Sequence, residues 1–324
     1  MEHKSRIVFW IILVLANMGI AALAALWIFG GRDLSVEQKE DARLIGLSYM
    51  TMNNEFYKIM SEEINDRIEA EGDQMVMRDP ALDADRQIEQ IRQMLDMGID
   101  ALVVTPVDSE KLAEVLEAAK EQGVYIIVLD TNVDGEDLAD CTITSDNYEA
   151  GVIVGEYFLE KNPEAKVVVM THEATQSGRD RVQGFLDTVA SNDKIEIVKK
   201  IECQGQVEIA MPKLQEAIDE GVGFDNVFCL NDLASVGVVA ALEEDDMLDQ
   251  VGVYGVDGSP DAKALIQEGM MEATAAQFPS QIGRQAAEVI YQLLNGGKPQ
   301  KSIQIPVELI TPDNVSDYGT ERWQ

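Results

Sequence analysis

Residues 124–140 read VYIIVLDTNVDGEDLAD. From Asp130 the run D-T-N-V-D-G matches the first half of an EF-hand calcium loop. Two features oppose that match. An EF-hand loop follows a helix, whereas VYIIVL is short, continuously apolar and rich in β-branched residues, as strands covered on both faces are. The twelfth loop position calls for a bidentate glutamate, and Cys141 stands there. Asn132, Asp134 and Asp137 are left as no more than a surface cation alternative, and no metal site is expected. Asp130 instead ends a buried strand, the place where parallel α/β sheets bind their ligands.

The same cycle extends in both directions. RLIGLSYM is followed by NEFYKIMSEEINDRIEAEG, whose Phe56, Ile59, Met60, Ile64 and Ile68 share a helical face. QMVMRD then precedes ADRQIEQIRQMLDMG, a helix stopped by Gly98. DALVVTP, SEKLAEVLEAAKEQG and VYIIVLD repeat the alternation, and KVVVMTH, IEIVKKIE, DNVFCLND and VGVYGVDG continue it. Strands alternating with helices imply doubly wound parallel sheets. There are too many strands for one comfortable sheet, so two similar lobes are expected.

The chain has 324 residues, with 59 acidic against 25 basic side chains and a formal net charge of −34. That charge repels phosphates, and no basic patch with interleaved aromatics occurs, so nucleic-acid binding is excluded. Cys141, Cys203 and Cys229 fit no zinc spacing and are expected as buried thiols. Neither a P-loop nor a dinucleotide fingerprint follows a strand, and His172 has no nucleophile-elbow serine. The expectation is a binding protein with no cofactor and no catalytic residue, in which His172 could reach the ligand cleft.

Residues 7–29 contain one polar side chain, Asn17, and are long enough to span a bilayer as a helix. Lys4 and Arg6 favour a cytoplasmic N-terminus. An uncleaved anchor is therefore expected ahead of a cleaved signal, with everything after residue 31 outside the cytoplasm. A cleaved signal would leave a secreted or periplasmic protein. Residues 32–42 read as a polar linker.

Planar amides and carboxylates recur just past the strand ends: Asn54, Asp130, Asn231, Asp257 and Gln277. Phe56 and Tyr57 offer aromatic faces there, and Arg179 offers a planar fork of donors. Such groups suit a neutral polyhydroxylated ligand, because each can pair with two neighbouring hydroxyls.

In order, the motifs MNNEFY, LDTN, TSDNYEAG, GRDRVQGF, CLNDLASVGVVAAL, YGVDGSPDA, AAQFPSQIG and ELITPDN resemble extracytoplasmic sugar-binding proteins of the ribose-binding type over roughly residues 43–312. The resemblance implies a periplasmic-binding-protein type I fold. Its first lobe takes residues 43–145 and 277–305, its second residues 146–276 and 306–318, and three crossovers join them, with hinge closure on ligand. TSDNYEAG, AAQFPSQIG and ELITPDN look like the crossovers. The resemblance also implies ligand contacts from Asn54, Phe56, Tyr57, Asp130, Arg179, Asn231, Asp257 and Gln277. Thr131 joins this set, standing where ribose-type proteins carry an arginine. No aromatic residue occupies the second-lobe stacking position, where Gly205 or Gln206 falls. The implied partners are a sugar and an ABC transporter permease. An anchor that is not cleaved would also suit a sensor acting through a membrane histidine kinase.

Overall fold

A computed structural model of the chain describes residues 41–135 and 137–324. The apolar run 7–29 and nearly all of the linker lie outside the described residues. Among the described residues, no helix is long and apolar enough to cross a membrane.

The strands alternate with helices as the apolar runs predict. In chain order the first half is β1 (Leu44–Ser48), α1 (Glu55–Glu71), β2 (Gln74–Arg78), α2 (Ala84–Asp96), β3 (Ala101–Val104), α3 (Ala113–Glu121), β4 (Tyr125–Leu129) and β5 (Cys141–Ser145). The second half is α4 (Asn147–Lys161), β6 (Ala165–Thr171), α5 (Gln176–Val189), β7 (Ile195–Glu202), α6 (Val207–Asp219), β8 (Asn226–Cys229), α7 (Asp232–Glu244), β9 (Gly252–Asp257), α8 (Pro260–Gln267) and β10 (Ala273–Ala276). Four elements return across both: α9 (Pro279–Leu294), β11 (Ser302–Ile305), β12 (Glu308–Ile310) and α10 (Val315–Tyr318).

Two six-stranded sheets result, in the orders β2-β1-β3-β4-β5-β11 and β7-β6-β8-β9-β10-β12. All pairings are parallel except β10 with β12. The central strands β3 and β8 are buried along their whole length, which is why they carry no polar alternation. Helices cover both faces of the first sheet. On one side Met60, Ile64 and Ile68 of α1 meet Ile282 and Ile290 of α9. On the other, Ile91 and Met94 of α2 meet Leu116 of α3. In the second sheet α4 packs on α5 and α6 on α7. All three cysteines are buried and free.

Because the first five strands of each sheet are contiguous in sequence and the sixth is not, the chain passes between sheets three times. The passages follow β5, β10 and β11. The third is at Pro306 and Val307, upstream of ELITPDN, whose first three residues already form the antiparallel edge strand β12.

Candidate functional site

The carboxyl ends of both sheets face one another across a cleft. Asp130, directly after β4, and Asp257, the last residue of β9, come from the fourth strand of their respective sheets. Both have positive φ, 69° and 140°. An extended strand that must turn a short carboxylate into a cleft adopts this uncommon backbone, which costs energy and clusters at binding sites.

Asp257 is 6% exposed, and its Oδ1 accepts from Arg181 Nη1 at 3.0 Å and from Gln277 Nε2 at 2.7 Å. Arg181, 5% exposed, also donates to Asn147 Oδ1 at 2.8 Å and to the Leu230 carbonyl at 3.2 Å. On the opposite wall Asp130, 5% exposed, accepts from the Tyr57 hydroxyl at 3.1 Å through Oδ2. Its Oδ1 receives no hydrogen bond among the described residues, nor does Gln277 Oε1. Asn54 caps α1 by accepting from Phe56 N–H, and Asn231 caps α7 by accepting from Ala234 N–H while donating to the Gly205 carbonyl.

These groups, with Met50, Thr51, Leu82, His172 and neighbours, enclose an empty space of about 520 Å³ including its mouth. Even with its mouth included, the space is far too small for a folded partner. The lobes meet beside it. Ser109 N–H donates to the Ala174 carbonyl at 3.1 Å, and Ser177 N–H donates to Thr131 Oγ1 at 2.9 Å. On the hinge side Trp323 packs on Phe56 with ring centroids 5.5 Å apart, while Gln324 Nε2 donates to the Asp257 and Gln277 carbonyls.

Burial dominates the electrostatics. It pushes Asp257 up from 3.8 to about 7 against the attraction of Arg181. It raises Asp130 in the same way, with Arg181 and the Tyr57 hydroxyl opposing. The His172 imidazole is lowered, first by burial, although Glu202 pulls it up.

A family model described as a periplasmic binding protein domain matches residues 45–298. The chain belongs to this family. A ribose import binding protein of Bacillus subtilis is 27% identical over 82% of this chain and 87% of the relative. A solved Caulobacter myo-inositol binding protein with bound myo-inositol is 26% identical, covers 86% of this chain and 96% of that one, and superposes with a TM-score of 0.80. An ABC transporter solute binding protein from Bacillus halodurans, also with myo-inositol, is 25% identical over 86% of this chain and 99% of that one, with a TM-score of 0.80. The family resemblance carried by the sequence motifs is thereby upheld.

In this periplasmic binding protein the cleft brings together Asn54, Phe56, Tyr57, Asp130, Asn231, Asp257 and Gln277. Two expected residues are placed elsewhere. Arg179 lies on the outer side of α5, donating to the Glu173 carbonyl and Gln176 Oε1 and pairing with Asp134 at 3.8 Å. Two residues along a helix is about 200° of rotation, so Arg179 and Arg181 cannot share a face. The cleft arginine is Arg181. Thr131 is buried in the inter-lobe contact with Ser177 and does not line the space.

A signal for Arg181 was present. Gly184, three residues on, lies on the same helical face. A Cβ there would stand 2.1 Å from the Tyr148 carbonyl oxygen, and one on Gly151 would stand 2.0 Å from that of Arg181. The two glycines let α4 and α5 touch backbone to backbone, which brings Asn147 to Arg181. His172 does reach the cleft. Gln204 and Gln206 line it where an aromatic was missed, so the second lobe offers amides in place of a ring.

Proposed function

We propose that this chain is the ligand receptor of an ABC uptake system, binding a polyhydroxylated ligand of monosaccharide size between its lobes. Asp130, Asp257 and Gln277 accept from ligand hydroxyls, Arg181, Asn54 and Asn231 serve as donors, and Phe56 and Tyr57 face the ring. The lobes, residues 43–145 with 277–305 and residues 146–276 with 306–318, move about the three crossovers. The carrying observation is the pair of buried acceptors, Asp130 Oδ1 and Gln277 Oε1, that find no donor among the described residues. Buried acceptors are nearly always satisfied, so their presence in a cavity wall indicates a ligand rich in donors.

Ribose import and myo-inositol binding, named for the relatives, support this class of ligand. Their transport roles favour delivery to a permease over the kinase-linked sensor. The apolar run 7–29 supports tethering of this receptor to the outer face of the cytoplasmic membrane. Sequencing the N-terminus of the mature protein tests that point; cleavage near residue 24 would remove the tether.

A thermal-shift panel of pentoses, hexoses and inositols tests the function itself. A true ligand raises the melting midpoint by mass action, by about 2.7 kcal/mol of stability at 100 times its Kd. No shift from any polyol, neutral or amino-substituted, would overturn the reading.

A further inference from the structure

We infer that the ligand is a cationic polyol, an amino sugar or amino-cyclitol whose ammonium group is received by Asp130. The inference rests on the polyol-receptor reading above and deepens it. Asp130 and Asp257 stand on the cavity wall, and Asp232 lies directly behind, fully buried, accepting from Ser259 N–H and the Thr274 hydroxyl. Against these three carboxylates the described interior holds two cations. Arg181 is bonded to Asp257. Lys263 is fully buried behind the wall, donating to the Arg322 carbonyl and Gln324 Oε1. Among the described residues, Asp130 accepts a side-chain hydrogen bond only from the neutral Tyr57 hydroxyl, and its Oδ1 accepts none.

Arg181 attracts Asp130 but is bonded to Asp257, Asn147 and the Leu230 carbonyl, and no other described group nearby supplies the missing charge. Thr131, next in the chain, is neutral and spends its oxygen on Ser177 N–H. Arg179 is held at the rim by Asp134 and Gln176. His172 is biased by burial toward its neutral form.

The space beside the cavity carries the same sign. The space adjoining the cavity, sharing His172 and Gln204 with it, is lined by Asp83, Asp85, Asp108, Glu173 and Glu202, with Lys111 as its cation. A path lined by one sign of charge concentrates ligands of the other.

A buried carboxylate without a counter-charge is costly. A hydroxyl satisfies its lone pair and leaves the charge. An ammonium brings three donors and the opposing charge together, and such charge-assisted bonds are roughly twice as strong as neutral ones. Burial raises the titration of both wall carboxylates, so the uncompensated charge is the form the cavity disfavours.

The test is calorimetric titration of the full chain at about pH 6, where the amines are cationic. The probes are matched pairs: glucose and glucosamine, galactose and galactosamine, mannose and mannosamine, scyllo-inositol and scyllo-inosamine. In at least one pair the amine should bind at least about 10-fold tighter than its neutral partner. Asp130→Asn, nearly isosteric, should reduce that preference to about twofold or less. The wild-type comparison across the matched pairs is a readout that needs no variant to fold. Equal or tighter binding of the neutral member in every pair that binds overturns the inference and leaves the receptor reading intact. So does an amine preference that survives in Asp130→Asn. Binding of no probe of either kind overturns both.

Discussion

Asp130 and Asp257 occupy matching places in the two lobes and share one backbone device. Each stands at the end of a fourth strand with φ of 69° or 140°. Such conformations cost on the order of 1–3 kcal/mol each, so the surrounding structure must hold them. For Asp257 the holding group is Arg181, with Asn147 and the Leu230 carbonyl fixing the guanidinium in turn. Removing Arg181 strands a buried carboxylate. Arg181→Ala should lower stability by roughly 3 kcal/mol in urea unfolding and abolish ligand binding by calorimetry. Arg179, 33% exposed and paired at the surface, should behave differently: Arg179→Ala should change stability by less than about 0.5 kcal/mol and leave affinity within about twofold. The reverse pattern would return the ligand arginine to position 179.

At the scale of elements, the pair α4 and α5 determines where Arg181 goes. Their backbones touch at Gly151 and Gly184, with no room for a side chain at either. Gly184→Ala must push the helices apart, because the obstacle is a carbonyl oxygen and cannot rotate away. The variant should lose at least about 2 kcal/mol and bind ligand more weakly, since Asn147 and Arg181 separate with the helices. Wild-type stability in that variant would show that the contact is adjustable. This packing also explains what could be read beforehand. The alternation of strand and helix was legible because each strand is a continuous apolar run between polar helices. Most of the site was legible because the strand ends carry amides and carboxylates. The choice between Arg179 and Arg181 was not, since the motif offers two arginines two residues apart and only contact between helices sets the phase. Thr131, expected at the ligand, instead accepts from Ser177 N–H across the lobes. Residues 319–324 show no periodicity, so nothing announced that Trp323 would cover Phe56 or that Gln324 would reach the Asp257 and Gln277 carbonyls.

At the scale of the whole molecule, a chain of net charge −34 closes two lobes over carboxylates that resist ionisation. Folding therefore retains protons that the unfolded chain releases. For Asp257 the window runs from its ordinary 3.8 up to about 7. Asp130 acts in the same direction. In that window the native state binds more protons than the unfolded one, so stability falls as pH rises. The contribution is fully present below the unfolded value and is lost as pH rises through the folded one. One retained proton is worth about 1.4 kcal/mol per pH unit, roughly 3 °C in Tm for a protein of this size. Repulsion among the surface carboxylates slopes the same way, so the wild-type curve alone does not identify the source. Asp257→Asn does, because it removes one titrating group and leaves the surface unchanged. Calorimetric melting of the ligand-free protein from pH 8 to pH 5 should show Tm rising as pH falls. The rise should be shallower in Asp257→Asn, with the difference between the curves concentrated below pH 7. Parallel wild-type and variant curves would assign the whole slope to the surface and would mean that Arg181 keeps Asp257 ionised in the closed cleft.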